Sequence, residues 1–370
     1  MKWSSDQQTA IATVAAWLRI RYAPFFYLAG YAGSGKTTPA RHIASLQDGK
    51  VAYGAFTGKA AKVMRQKGCP GARTIHSMIY DTEINPETGV HTFSLKGDAF
   101  PDVALVIVDE CSMVNEELGR DLLSFGVPVL VLGDPGQLPP VEGAGFFTAG
   151  KPTYMMTEIH RQATDSPIIR VATEIREGRF DRASMVTDGL TICRRSDLDP
   201  KNVTEADAVL VGRNLTRERY NRRLREIRGF EDERPEKGET LICLRNDNDK
   251  KIANGETFTV ARRGRPSMRD GHRLLRYDIV DPDDADRGNI AVEVYNACFE
   301  GKAALEEIPF KRRLGTQQFD YGYALTAHKA QGSQWPNVCV FDESRFFREN
   351  ASRHLYTAVT RASEHLTLVI

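Results

Sequence analysis

Near-continuous apolar runs recur along the first part of the chain, at residues 25–29, 51–56, 103–108 and 127–132, with helix-length stretches between them. Runs of this kind suit strands of a parallel sheet whose two faces are both covered by helices. A second set, at 208–211, 338–341 and 366–370, predicts a second sheet of the same class. The pattern therefore predicts two α/β domains. Residues 10–18 are apolar, but Asp6 precedes them and Arg19 and Arg21 follow, which predicts an amphipathic helix. Two segments break the rhythm. Residues 81–96 carry the turn cluster Asn85-Pro86-Glu87-Thr88-Gly89 and then alternate at Phe93 and Leu95, which predicts a β-hairpin insertion. Residues of about 235–315 hold β-rich pieces at 240–244 and 257–260, separated by Asn254-Gly255 and charged loops, which predicts a small antiparallel module.

Composition narrows the class without naming a partner. A length of 370 residues exceeds one ordinary core and agrees with two domains. Lys and Arg number 50 against 49 Asp and Glu, so any basic surface must be local. The six cysteines form no C-x-x-C pair, which argues against a zinc site or a disulfide framework and predicts a reducing cytoplasm. No apolar run approaches the length of a membrane span.

The first chemical signal follows the first apolar run. Gly30-Tyr31-Ala32-Gly33-Ser34-Gly35-Lys36-Thr37 fits G-x-x-x-x-G-K-[ST] between a strand and a helix. Glycines let successive N–H groups turn toward one anion, and the helix N-terminus adds partial positive charge. Lys36 is then placed for the β/γ phosphates and Thr37 for Mg2+. Pro39 falls in the first helical turn, where a missing N–H costs nothing. A second signal ends the run at 105–108 with Asp109-Glu110: carboxylates at a strand's C-terminal end lie at the crevice where phosphates bind. Asp109 is the expected Mg2+ partner and Glu110 the expected base that orients water. A third is the loop Gly133-Asp134-Pro135-Gly136-Gln137, whose Gln137 can sense the γ-phosphate or its water.

In this order the motifs resemble superfamily 1 helicases, most closely the 5'-to-3' group with RecD-like and phage Dda-like enzymes. Gln7 with Ala10 looks like the adenine-reading Q motif, 57–62 like motif Ia, and 74–77 like motif Ib. Residues 158–162 resemble motif IV, 323–333 motif V, and 355–362 motif VI. The resemblance implies two RecA-like parallel-sheet domains, at 1–163 and 164–370, with a hairpin pin at about 79–101 and a barrel-like module at about 235–315. It implies ATP and Mg2+, single-stranded and forked duplex DNA as partners, and a monomer in a bacterial cell or phage-infected bacterium, with replication or recombination proteins as possible associates. Nucleotide contacts would come from Gln7, Gly30, Ala32, Gly33, Ser34, Gly35, Lys36, Thr37, Thr38 and Gly332. Arg361 and Arg161 would supply the cations that transition-state charge requires.

DNA contacts are expected from Thr57, Lys59, Thr74, His76, Thr326, His328 and Lys329. His76 and His328 read equally well as satisfied structural histidines. Phe93 either stacks on DNA or anchors the hairpin base, because the tip Asn-Pro-Glu-Thr-Gly lacks the aromatic or apolar wedge usual in the family. Arg213, Arg217, Arg219, Arg222, Arg223, Arg225 and Arg228 on one helix read as a solvated face partly paired with Glu218 and Glu226, against the alternative of a DNA track. Two rival functions stay open: an RNA-directed or opposite-polarity helicase, and a RecD-type or loader-like ATPase subunit that does not unwind alone.

Overall fold

A computed structural model of the chain describes residues 3–140, 143–158 and 165–370. The residues pack as two compact units: one of 1–81, 95–212 and 327–370, the other of 82–94 and 213–326.

The larger unit contains two sheets. The first is built from β1 (Phe25–Gly30), β2 (Lys50–Ala55), β3 (Arg73–Thr74), β6 (Val103–Asp109), β7 (Val129–Gly133) and β8 (Tyr154–Met156), in the order β3-β2-β6-β7-β1-β8 with every pairing parallel. Alternation within its apolar runs explains why they are continuous. Tyr27, Val106, Val108, Val129 and Val131 face α4 (Ile75–Ile79) and α5 (Glu116–Ser124). Phe26, Leu28, Leu105, Ile107, Leu130 and Leu132 face α1 (Ser5–Ile20) and α2 (Thr37–Ser45). With no solvent face, neither parity of the strand can be polar. Helix α3 (Gly58–Gln66) covers β2 beyond these layers. Helix α1 is amphipathic as expected, burying Ala10, Val14 and Trp17.

The second sheet runs β11-β19-β20-β10-β9, from β9 (Met185–Thr187), β10 (Leu190–Cys193), β11 (Ala208–Val211), β19 (Trp335–Phe341) and β20 (Ala362–Val369). Only the β9 pairing is antiparallel. Helices α6 (Pro167–Arg176) and α9 (Ala351–Val359) belong to this half of the unit.

The smaller unit holds the two insertions. The hairpin strands β4 (Tyr80–Ile84) and β5 (His91–Leu95) are exposed almost throughout. Asn85 folds their turn by accepting from the Glu87 and Thr88 amides, and Gly89 completes it at φ 74°. The tip is clasped rather than loose: Gly89 lies against the Phe310 ring, and Glu87 pairs with Lys311 at 2.5 Å, both on the short helix α8 (Phe310–Arg313). The β module is antiparallel as expected, ordered β14-β15-β13-β12-β17 with β16 on β15. Its strands are β12 (Thr240–Cys243), β13 (Thr257–Arg263), β14 (Ser267–Arg269), β15 (His272–Val280), β16 (Ile290–Tyr295) and β17 (Phe319–Tyr321). Its sheet thus extends past residue 315. Among the described residues no helix is long and apolar enough to cross a membrane.

The expected solvated, partly paired arginine face holds at Arg223 with Glu226 and is corrected at Arg217 and Arg225. Helix α7 (Asn214–Ile227) turns Arg217 inward to Asp320, and Arg225 to the fully buried Glu239, where it also stacks on Tyr321. Asn221 sits between them, donating to the Tyr321 and Ala324 carbonyls and accepting from the Ala324 amide of β18 (Ala324–Thr326). Positions 217, 221 and 224/225 form one helical stripe, so this face packs on the module through satisfied polar groups. Arg219, Arg222 and Arg223 stay on the exposed side.

Candidate nucleotide site and nucleic-acid interface

Strand β1 ends at Gly30 and α2 begins at Thr37, and the intervening loop reverses through Gly33 at φ 83° and Gly35 at φ 70°, conformations that favour glycine. A Cβ on Gly30 would collide with Ser34 Oγ and approach Lys36 Cγ to 3.0 Å, so the loop closes tightly on its own lysine. Lys36 Nζ donates to the Gly30 carbonyl at 2.6 Å and the Tyr31 carbonyl at 3.4 Å. Thr37 Oγ1 donates to Asp109 Oδ2 at 3.5 Å, and Asp109 Oδ1 accepts from the Glu110 amide at 2.8 Å. Glu110 itself is held left-handed, at φ 54°. A non-glycine residue there carries strain of about 1–3 kcal/mol, a feature that gathers at functional sites.

Strand β7 delivers the next group. Asp134 is 1% exposed; its Oδ1 accepts from the Gly136 amide at 2.8 Å, fixing the turn that carries Gln137. Gln137 is buried with its Oε1 unpartnered among the described residues. A cavity of about 650 Å³ is lined by Gly33, Lys36, Thr37, Asp109, Glu110 and Gln137 from the first half, and by Gly332, Ser333 and Arg361 from the second.

Arg361 follows α9 and is 4% exposed. Its Nε donates to the Thr357 carbonyl at 3.0 Å, Nη1 to the Ser333 carbonyl at 3.2 Å and Nη2 to Thr360 Oγ1 at 3.2 Å. So fixed, it stands 3.9 Å from Glu110 Oε1. Burial pushes the Glu110 pKa up, Asp109 and Asp134 add to the rise, and Arg361 and Lys36 oppose it. Four further ties join the motifs: Tyr356 Oη donates to Asp134 Oδ2 at 2.6 Å and accepts from the Ala32 amide at 3.0 Å; Thr357 Oγ1 accepts from the Leu138 amide at 2.9 Å; and Gln331 Nε2 donates to the Leu138 carbonyl at 3.1 Å. None of Tyr356, Thr357, Gln331 or Asp134 had been singled out by sequence, although all lie inside the recognised motifs.

Several of the residues expected at the nucleotide also have partners within the chain. Gln7 closes a capping box with Ser4, accepting from the Ser4 amide at 3.2 Å. The S-x-x-Q spacing carried that signal. The Ala32 amide is committed to Tyr356, the Thr38 amide donates to the Gly35 carbonyl, and Ser34 Oγ donates to the Tyr31 carbonyl. Gly332, at φ 75°, packs on Ala60. Arg161 lies outside the described residues.

Of the expected DNA ligands, Thr57 and Thr74 cap α3 and α4, accepting from the Ala60 and Ser77 amides. Lys59 is 8% exposed with its ammonium 4.7 Å from the Trp335 ring centroid, so its charge faces the protein. His76 packs between Phe56 and Tyr80, burial lowers its pKa, and Thr326 is buried. His328 lies beside Phe347 and His354. Lys329 and Phe93 are exposed, the latter stacked on His91.

His354 is a buried imidazole stacked on Phe347 at 3.8 Å, and neither ring nitrogen has a partner among the described residues. Burial and then His328 push its pKa down to about 4, against the opposite pull of Asp342 and Glu343. The unfolded chain therefore binds the proton more tightly, and stability drains away as pH falls from about 6.5 toward 4. Between pH 7 and 4.5 the wild type should lose about 2–3 kcal/mol more than His354→Phe, which keeps the stack. Urea unfolding at the two pH values checks this; parallel losses would refute it.

Fold and site together define a P-loop protein with two mainly parallel sheets, whose phosphate loop and buried arginine come from opposite ends of the chain. The model of the AAA domain matches residues 2–192 and that of the UvrD-like helicase C-terminal domain residues 321–369. The chain belongs to the AAA-domain family of P-loop proteins and carries a UvrD-like helicase C-terminal domain. It is 30% identical over 397 residues to the ATP-dependent RecD2 DNA helicase of Deinococcus radiodurans, covering 98% of this chain and 48% of that protein. It is 34% identical over 176 residues to the ATP-dependent DNA helicase dda of Enterobacteria phage T4, covering 42% of this chain and 39% of that one. The chain thus spans about half the length, or less, of these relatives. A Pif1 helicase structure from Bacteroides bound to single-stranded DNA shares the fold, with a TM-score of 0.59 at 19% identity over 100% of this chain and 92% of that one.

Proposed function

We propose that the chain is an ATP-dependent 5'-to-3' translocase and helicase on single-stranded DNA, with ATP bound between RecA-like halves at 1–163 and 164–370. The observation that carries this reading is the approach of Arg361, from the C-terminal half, to within 3.9 Å of Glu110, from the N-terminal half. A cation delivered from one half to the carboxylate of the other makes turnover depend on closure. Repeated closure and opening on a strand moves the protein along it.

The residues fit a nucleotide triphosphate. The tight loop around Lys36 and the orphaned Gln137 carbonyl suit a polyanion attended by water. Lys36 exchanges its loop carbonyls for phosphate oxygens. Glu110 accepts the water's proton, Gln137 orients that water, and Arg361 holds the oxygens on which charge builds. Thr37 and Asp109 are the residues that would hold Mg2+, which supplies neutralisation of phosphate charge. Lys329 and Phe93, both exposed, are the first candidates for DNA contact. Polarity and DNA substrate follow the resemblance to RecD2 and dda.

The test is ATP turnover with and without single-stranded DNA: stimulation is expected, and its absence would overturn the motor. Unwinding of duplexes with one 5' or one 3' tail by the isolated chain then distinguishes polarity, and lack of unwinding would favour the loader-like alternative.

A further inference from the structure

The phosphate loop, the Asp134 turn and the arginine-bearing helix meet at one hydroxyl. Tyr356 Oη receives the Ala32 N–H at 3.0 Å and gives its own proton to Asp134 Oδ2 at 2.6 Å, while the other oxygen of Asp134 holds the Gly136 amide at 2.8 Å. Tyr356 is 1% exposed and Asp134 equally so, and a charge-assisted hydrogen bond in such surroundings is stronger than a neutral one. Burial, reinforced by Asp134, keeps the phenol protonated and therefore a donor. Five residues further along, Arg361 receives its setting from Thr357 and Ser333. The guanidinium of Arg176 stacks 3.5 Å over the Tyr31 ring, bracing the residue before Ala32.

We infer that Tyr356 is a positioning residue of the ATPase site, setting the arginine-bearing helix against the phosphate loop and the Asp134–Gln137 turn through its hydroxyl. The inference rests on the ATPase reading above. Ground-state phosphates would be gripped by Lys36 and the loop beyond Ala32, whereas the hydroxyl of Tyr356 bonds the loop at the Ala32 amide; Arg361 and Gln137 act on the transition state. Losing the hydroxyl should therefore lower kcat and spare KM.

Steady-state ATPase of the full chain with saturating single-stranded DNA tests this on Tyr356→Phe, Asp134→Asn and the double variant. Each single variant should lose about tenfold or somewhat more in kcat, the effect of losing one buried hydrogen bond in Asp134→Asn and two in Tyr356→Phe, with KM for ATP held within about threefold. The double variant should be no worse than Tyr356→Phe, since Asp134→Asn breaks one of the two hydrogen bonds that Tyr356→Phe removes. Wild-type kcat in Tyr356→Phe, a raised KM with unchanged kcat, or losses that multiply would each overturn the assignment. So would a Tyr356→Phe chain that fails to fold, because the hydroxyl would then determine the fold and not the arginine's setting. A wild-type chain without turnover would instead refute the ATPase reading itself, and the inference with it.

Discussion

Arg361→Ala is expected to lower DNA-stimulated ATP turnover by about 10³- to 10⁵-fold, the effect typical of an arginine that meets transition-state charge. The structure explains why the loss should be large. Three acceptors, the Thr357 and Ser333 carbonyls and Thr360 Oγ1, fix the guanidinium before any substrate arrives, so little reorganisation remains for the reaction to supply. Nucleotide affinity should change much less, because Lys36 and the phosphate loop, not Arg361, supply the ground-state phosphate contacts. Arg361→Lys keeps the charge but loses the planar fork that satisfies those acceptors, and should recover little. Rapid-quench turnover alongside equilibrium binding of a fluorescent ATP analogue separates the two effects. Turnover within tenfold of wild type would remove Arg361 from the chemistry.

Lys36→Ala should differ in kind, abolishing turnover and weakening nucleotide binding together. Its ammonium now satisfies two loop carbonyls, at 2.6 and 3.4 Å, and is the cation the loop folds around. A charge-assisted contact is worth about 1.5–3 kcal/mol, so affinity should fall by roughly ten- to a hundredfold. The same binding and turnover assays apply. A variant that turns over normally would refute the site.

The parallel sheets and the catalytic strand ends were legible because burial on both faces leaves unbroken apolar runs, and because Lys36, Asp109, Glu110 and Gln137 follow such runs directly. Cross-chain engagement was not legible. Nothing local in Thr57-Gly58-Lys59 reveals that Lys59 will lie over Trp335. Arg217 and Arg225 look like solvent residues until Asp320 and Glu239 are brought beside them. Tyr356 and Thr357 sat in view within a recognised motif, yet their partners at Ala32, Asp134 and Leu138 emerge only when the two halves of the larger unit assemble. Gln7 is the opposite case, since the spacing from Ser4 already announced a cap.

The cysteines, first met only as unpaired residues, have a practical consequence. Five of the six are buried and Cys298 is partly so, with burial raising its thiol pKa to about 11 and those of Cys243 and Cys339 to about 12. Such thiols offer almost no thiolate at neutral pH and react slowly. The native chain is thus a quiet background for labelling: one cysteine introduced at Val90, 59% exposed near the hairpin tip, would take a maleimide dye selectively and report that tip's surroundings without removing a single native residue elsewhere.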